Sequence, residues 1–367
     1  NLQESTASRV SYFASLARLL FELEPLGQDV FRSVLLPSDS QMWQGTKRAI
    51  FGGQVAAQCL SAAYRTVPQD RFCHSLHSYF IAAGDKTKPV EFRVRRVRDG
   101  RSYSSRSIEG VQDDRAIFTM IASFSLPEGD VVHINHPMPK VPPAESLDVI
   151  GFLTAAANLP ALDQSSSADK RESEPDLYRQ FVLPHLRKNE ELSSELRSNA
   201  QSQLDMYSRL SLEIQPTDPL VYYRVRPADE PKVHMWLRAR DAPPPEPADA
   251  SSVGTAAASG SSPAMSPTAV RQSHVLTTYM ADMGILRGGL VSDLSLQAAF
   301  VTSLDHSVYF HEPLLPHEFV LYEAHCLFGG RGRTTNKGNM WRRDGALVAT
   351  VFQEGLVRLV SQPPSAI

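Results

Sequence analysis

Three polar residues stand where apolar neighbours dominate: Asp282, Ser303 and Gln353. Asp282 falls within His274–Leu286, where Leu276, Tyr279, Met280, Met283 and Leu286 recur at helical spacing and predict a helix with one apolar side. At the edge of that side a carboxylate is either a solvated flank or a working group held against a core. Ser303 lies in Ala299–His311, whose β-branched and aromatic content predicts a strand. Gln353 shares a strand face with Ala349 and Val351 by the period of two, and an uncharged amide on such a face needs a hydrogen-bond partner. A carboxylate can take a proton, while a hydroxyl and an amide both donate and accept hydrogen bonds. Each residue alone has an ordinary explanation: a solvated helix flank, a strand hydroxyl bonded to backbone, an edge-strand amide facing solvent.

The elements that would position these residues occur twice along the chain. In the first half, Val10 to Leu23 has helical periodicity stopped by Pro25, and Val30–Leu36 reads as a strand. Phe51-Gly52-Gly53-Gln54 opens a helix running to about Val67, with small alanines on its apolar side and Pro68 closing it. An antiparallel meander follows: 73–82, 89–97 with Val90, Phe92 and Val94 inward, 101–108 and 116–126. Arg98-Asp99-Gly100 and Asp113-Asp114 mark its turns. The second half repeats the plan with strands at 210–214 and 233–238, the helix around Asp282, the strand around Ser303, and strands at 319–327, 334–342 and 346–360. Ser78-Tyr79-Phe80 answers Ser307-Val308-Tyr309-Phe310, and Ala122-Ser123-Phe124 answers Thr350-Val351-Phe352. A duplicated unit implies a pseudo-two-fold pair with its helices close together.

Tyr-Met-Ala-Asp-Met-Gly-Ile-Leu around Asp282, Ser-Leu-Asp-His-Ser-Val-Tyr-Phe-His from Ser303, and Val-Phe-Gln-Glu-Gly around Gln353 resemble the acyl-CoA thioesterase II family, bacterial and peroxisomal. Phe51-Gly52-Gly53-Gln54 and His74-Ser75-Leu76-His77-Ser78-Tyr79-Phe80 extend the match to the first half, so that it covers roughly 15–130 and 209–360. The resemblance implies an α+β fold, a tandem double hotdog in which each unit is a long helix wrapped by an antiparallel sheet. It maps a catalytic Asp, Ser-or-Thr and Gln onto Asp282, Ser303 and Gln353. The implied reaction is hydrolysis of fatty acyl-CoA to fatty acid and CoA by direct attack of an activated water. No Gly-x-Ser-x-Gly elbow is present to supply a serine nucleophile. Gly52 and Gly53 open a helix and permit close backbone approach, so they are candidates for the oxyanion or substrate-binding side, or for helix–sheet packing alone. A hotdog enoyl-thioester hydratase and a non-catalytic acyl-CoA sensor are the competing readings. The intact polar set counts against the sensor. The family also implies a homo-oligomer of double-hotdog subunits in the peroxisome or cytosol.

Domain bounds follow: an N-terminal hotdog at 1–130, a connector at 131–208 that is partly helical or disordered, and a C-terminal hotdog at 209–367. A Pro/Ala/Ser insertion at about 240–268 has no means of forming a packed core. The 367 residues suit two core domains, and 42% apolar content is ordinary for a globular chain. A net charge of −3 argues against a general nucleic-acid binder. Cys59, Cys73 and Cys326, scattered and odd in number, read as reduced thiols in an intracellular protein, with no disulfide framework or structural zinc. No cofactor is implied. No run of about 18 apolar residues suggests a membrane span. The chain opens on Asn1 rather than Met, and its Pro-Pro-Ser-Ala-Ile end is not of the Ser-Lys-Leu type. His306, His311 and His317 lack the spacing of helical metal ligands and read as locally bonded, while His74 and His77, in their strand, read as satisfied core histidines. Asp305 reads as a structural hydrogen-bonder, and Arg93, Arg95, Arg96 and Arg98 as a solvated face that could otherwise meet CoA phosphates.

Overall fold

The computed structural model describes residues 11–36, 49–129, 134–157, 200–207, 209–246 and 265–360. Helix α1 (Tyr12–Phe21) starts at Ser11, whose hydroxyl accepts the Ala14 amide, and buries Leu16, Leu19 and Leu20. Two short strands follow, β1 (Leu23–Gly27) and β2 (Val30–Ser33), joined by a turn with Asp29 at φ 61°. The sequence reading takes Pro25 as a helix stop and misses β1, an edge strand at the end of the sheet, where a proline is tolerated.

Helix α2 (Gly52–Tyr64) is buried from Gly53 to Tyr64. Its Ala56, Ala57, Ala62 and Ala63 present so little bulk that sheet and helix pack on opposite sides of it. The first-half strands are β3 (Phe72–Phe80), β4 (Glu91–Asp99), β5 (Tyr103–Gln112) and β6 (Arg115–Ser125). On β4 the expected alternation holds, with Phe92 and Val94 buried. Arg93 pairs with Glu91 and Asp114, and Arg96 with Asp29, on the outer face.

The second half contains β7 (Leu212–Pro216), the one-turn helix α4 (Pro219–Tyr222) and β8 (Lys232–Ala239); α3 (Val149–Ala157) precedes it. Then come α5 (Pro267–Ala281), the short α6 (Gly288–Val291), and β9 (Ala298–Ser303), β10 (Asp305–Phe310), β11 (Val320–Gly330), β12 (Arg333–Trp341) and β13 (Leu347–Leu359). Helices α2 and α5 run antiparallel against each other, Tyr64 Oη meeting His274 Nδ1 at 2.7 Å and Gly53 lying beside Asp282.

All strands of the described residues join one 13-stranded sheet in the order β1-β2-β4-β5-β6-β3-β10-β13-β12-β11-β8-β7, with β9 also on β13. The halves meet where the repeat-related strands β3 and β10 pair antiparallel, Leu76 opposite Val308 and His77 opposite Ser307. Leu76 and Val308 are fully buried, and the Ser78 hydroxyl donates to the His306 carbonyl at 2.7 Å. This is the tandem double hotdog expected from the sequence, with its two sheets fused edge to edge.

One segment differs from its sequence reading. Residues 134–147, within the expected connector, pack on the outside of the second half. Asn135 donates to the Gly345 carbonyl, Trp341 Nε1 to His136, and Trp236 Nε1 to Pro142. Ala144 closes a small cluster with Trp236, Phe319, Leu321 and Trp341. Proline-rich backbone leaves carbonyls unpaired, and buried indole N–H groups need acceptors. Helix α3 lies within the same expected connector, while the connector's residues 158–199 and residues 247–264 of the Pro/Ala/Ser insertion lie outside the described residues.

Candidate active site

The helix expected through Leu286 ends sooner. Asp282 is the C-cap of α5 (φ −81°, ψ −8°), and Gly284 at φ 73° turns the chain into a 3-10 turn, Ile285–Arg287. Met283 and Ile285 still reach the core, which is why apolar periodicity continues past the helix end. The Ala281 carbonyl, left without a helical partner, accepts from Tyr322 Oη at 2.6 Å.

Asp282 therefore sits at the negative end of its own helix. The antiparallel packing offsets this by bringing the positive end of α2 to the same point. The Gly53 amide donates to Asp282 Oδ2 at 2.8 Å. A Cβ on Gly53 would lie 2.6 Å from the Tyr279 carbonyl, and one on Gly52 would lie 2.6 Å from the Phe80 ring and 2.9 Å from Asp282 Oδ2. Both glycines are thus needed for the two helices and the carboxylate to approach this closely. The Gly52 amide has no hydrogen-bond partner among the described residues.

Oδ1, the other carboxylate oxygen, meets Ser303 and Gln353. Gln353 Nε2 donates to Asp282 Oδ1 at 2.8 Å and to Ser303 Oγ at 2.6 Å, and Ser303 Oγ donates to Oδ1 at 3.3 Å. The sequence-predicted trio is brought together. Asp282, Ser303 and Gly52 keep partial contact with solvent, while Gln353 is buried behind them.

A β-bulge places Ser303. From Ser303 to Ser307 the chain advances four residues, while its partner strand retreats three, from Gly355 to Phe352. The predicted single strand 299–311 is accordingly two, β9 and β10. The bulge is held by two contacts: the Leu304 amide donates to the Glu354 carbonyl at 2.8 Å, and the Glu354 amide donates to Asp305 Oδ1 at 2.6 Å. Asp305 has the structural role expected of it. The extra residue also turns His306 toward the same side as Ser303, although simple alternation would set them on opposite faces. His306, fully buried, meets Gln353 Oε1 through Nδ1. The sequence reading treats His306 as locally bonded and does not link it to Gln353.

Burial dominates the electrostatics. It pushes the Asp282 carboxyl above the ordinary aspartate value, while nearby His306 and the hydrogen bonds from Gln353, Gly53 and Ser303 pull it back. Burial likewise holds the His306 imidazole below its usual value, against the attraction of Asp282. Cys59, Cys73 and Cys326 are unpaired and buried, and burial raises their thiol pKa values, so none has the character of a reactive thiolate.

Among the described residues the first half has no second copy of this site. The position corresponding to Asp282 at the end of α2 is its C-cap, Arg65, whose guanidinium donates to the Phe21 carbonyl at 2.9 Å. Between α2 and β3 there is no counterpart of α6 and β9.

Residues 40–125 match the acyl-CoA thioesterase N-terminal domain, and residues 189–357 the acyl-CoA thioesterase C-terminal domain. Acyl-coenzyme A thioesterase 8 of Mus musculus is 30% identical over 95% of this chain and 90% of its own length. Acyl-CoA thioesterase 2 of Haemophilus influenzae is 28% identical over 85% of this chain and 88% of its own. Among solved structures, an acyl-CoA thioesterase II, TesB2, from Mycobacterium marinum aligns with a TM-score of 0.60 at 26% identity, covering 94% of this chain and 99% of that one. The fold, the polar site where the start of α2 meets the end of α5 and these matches across nearly the whole chain agree: the protein belongs to the acyl-CoA thioesterase II family.

Proposed function

We propose that this acyl-CoA thioesterase hydrolyses its substrate with Asp282 as general base, Ser303 holding the attacking water on its free lone pair, and Gln353 orienting the Asp282 carboxylate and the Ser303 hydroxyl. The observation that carries this reading is the convergence of Ser303 and Gln353 on one oxygen of a desolvated carboxylate. A carboxylate whose proton affinity is raised by burial is a stronger base toward water. Water oxygen adds to the thioester carbonyl carbon as Asp282 takes a proton, and the carbonyl oxygen becomes an oxyanion. Collapse of that intermediate breaks the C–S bond and releases the carboxylic acid and the CoA thiolate, which takes the proton from Asp282 and so regenerates the base. A thiolate, a weaker base than an alkoxide, leaves readily. Because the Gly53 amide is engaged by Asp282, the Gly52 amide at the start of α2 is the better candidate for the oxyanion.

Asp282→Asn tests this. It keeps the shape and removes the base, so kcat for thiol release from acyl-CoA is expected to fall by about a hundredfold or more. KM should change little. An Asn variant that melts like the parent and keeps parental kcat would exclude the mechanism.

Homo-oligomerisation is part of the same reading. The outer face of the central strands exposes Tyr79, Ile121, Tyr309 and Phe352, an apolar surface suited to a second copy. Sedimentation would report a monomer if this is wrong. Among the described residues no helix is long and apolar enough to cross a membrane. The peroxisomal or cytosolic location rests on family resemblance, and imaging of the tagged full-length protein decides between them.

A further inference from the structure

His306 is buried, titratable and unused by the mechanism above. It lies directly behind the Gln353 amide. Its Nδ1 meets Gln353 Oε1, and its Nε2 has no hydrogen-bond partner among the described residues. A glutamine amide can sit in either of two orientations that differ by exchange of Oε1 and Nε2. Only one serves this site. An ionised Asp282 accepts and cannot donate, so Nε2 must face it, and the two Nε2 hydrogens go to Asp282 Oδ1 and Ser303 Oγ. The flipped amide would set Oε1 against the carboxylate, acceptor against acceptor.

We propose that His306 is a positioning residue: as the Nδ1–H tautomer it donates to Gln353 Oε1 and so locks the amide with Nε2 toward Asp282 and Ser303. In the other tautomer Nδ1 would be an acceptor and could not hold Oε1. The bulge at Leu304–His306 is what allows it, since this extra residue puts Ser303 and His306 on the same side of the sheet. His306 touches neither water nor thioester in this arrangement, and everything it contributes passes through Gln353. The proposal rests on the assignment of Gln353 to the site.

The test is a small set of variants assayed for thiol release and thermal melting. His306→Phe keeps a planar ring and removes the donor. It is expected to lower kcat by about ten- to a hundredfold, within the range for loss of one oriented hydrogen-bonding group, with KM within about twofold. His306→Asn can place its Nδ2 hydrogens near the position of Nδ1–H and should recover most of that loss. His306→Gln, which extends an amide toward the Nε2 position instead, should not, and it replaces the Phe variant should the latter fail to fold. The decisive measurement is a cycle with Gln353→Ala. In the Gln353→Ala background, His306→Phe should cost less than about twofold in kcat, because the amide it would orient is gone. Full additivity in the cycle, or parental kcat in a folded His306→Phe enzyme, would overturn the positioning role while leaving Gln353 in the site. Parental kcat in a folded Gln353→Ala enzyme would instead remove Gln353 and the proposal with it.

Discussion

Ser303 and Asp282 make separable demands on the site. Ser303 both accepts from Gln353 and donates to Asp282, so its hydroxyl is needed and its size is not. Ser303→Thr should keep most activity; Ser303→Ala should slow turnover by roughly ten- to a thousandfold, read as thiol release at saturating acyl-CoA. Asp282 has a cost in stability with a definite sign. Its folded-state pKa lies above the unfolded value because burial outweighs its hydrogen bonds. Between those two values the native state holds the additional proton, so stability falls as pH rises through that window and stays lowered above it. Asp282→Asn has no such proton to lose. Denaturant melts of the two proteins should therefore diverge in favour of Asn from acid toward neutral pH. A gap that stays constant with pH would contradict the raised pKa. Residue identities at this scale were legible in the sequence: Asp282, Ser303 and Gln353 do meet. What could not be read was His306 against Gln353, because that contact depends on a bulge that leaves no trace in residue type; Gly53 was marked by its type as a point of close approach, but not its partner Asp282.

At the scale of elements, the central helices and the strands of the meander were readable because their burial follows simple periods. The irregular points were not. The αL conformation of Gly284 ends α5 inside a continuing apolar pattern, and the bulge at Leu304 splits a segment whose composition is uniformly strand-like. These irregularities position the site: the first frees Asp282 from the helix, and the second turns Ser303 and His306 together. Asp305 holds the bulge by accepting the Glu354 amide, a contact that can be removed selectively. Asp305→Ala should cost about 1–3 kcal/mol in a denaturant melt by leaving that amide unpaired, and should lower kcat as Ser303 drifts. Asp305→Asn retains an acceptor and should be close to parental in both. Equal behaviour of the Ala and Asn variants would show that the bulge does not depend on this side chain.

Over the whole molecule, the continuous sheet and the α2–α5 contact make the halves parts of one body. Leu76, Val308 and the residues around both helices belong to a single buried cluster. Unfolding should be one cooperative transition, with calorimetric and van't Hoff enthalpies in agreement. Val308→Asp, which buries an unpaired charge at the seam, should lower the entire transition rather than detach one half, as followed by calorimetry. Two resolved transitions would mean that the halves stand independently. The duplication itself was visible in the Ser-Tyr-Phe and Ser-Val-Tyr-Phe motifs of β3 and β10, although in the sheet Phe352 answers Ile121 rather than Phe124; the division of tasks between its copies was not visible, since both copies keep a helix and a meander.

That division changes what the internal repeat means. Arg65 occupies the place in the first copy that Asp282 occupies in the second, and it serves as a brace to the Phe21 carbonyl. The first copy has kept the amide end of its helix, and the second has kept the carboxylate end. Neither is a spare of the other. Repetition usually confers redundancy, with one copy free to drift while its twin sustains function. Here it has become complementarity, so a lesion at Gly53 and a lesion at Asp282, 229 positions apart in the chain, would injure the same site.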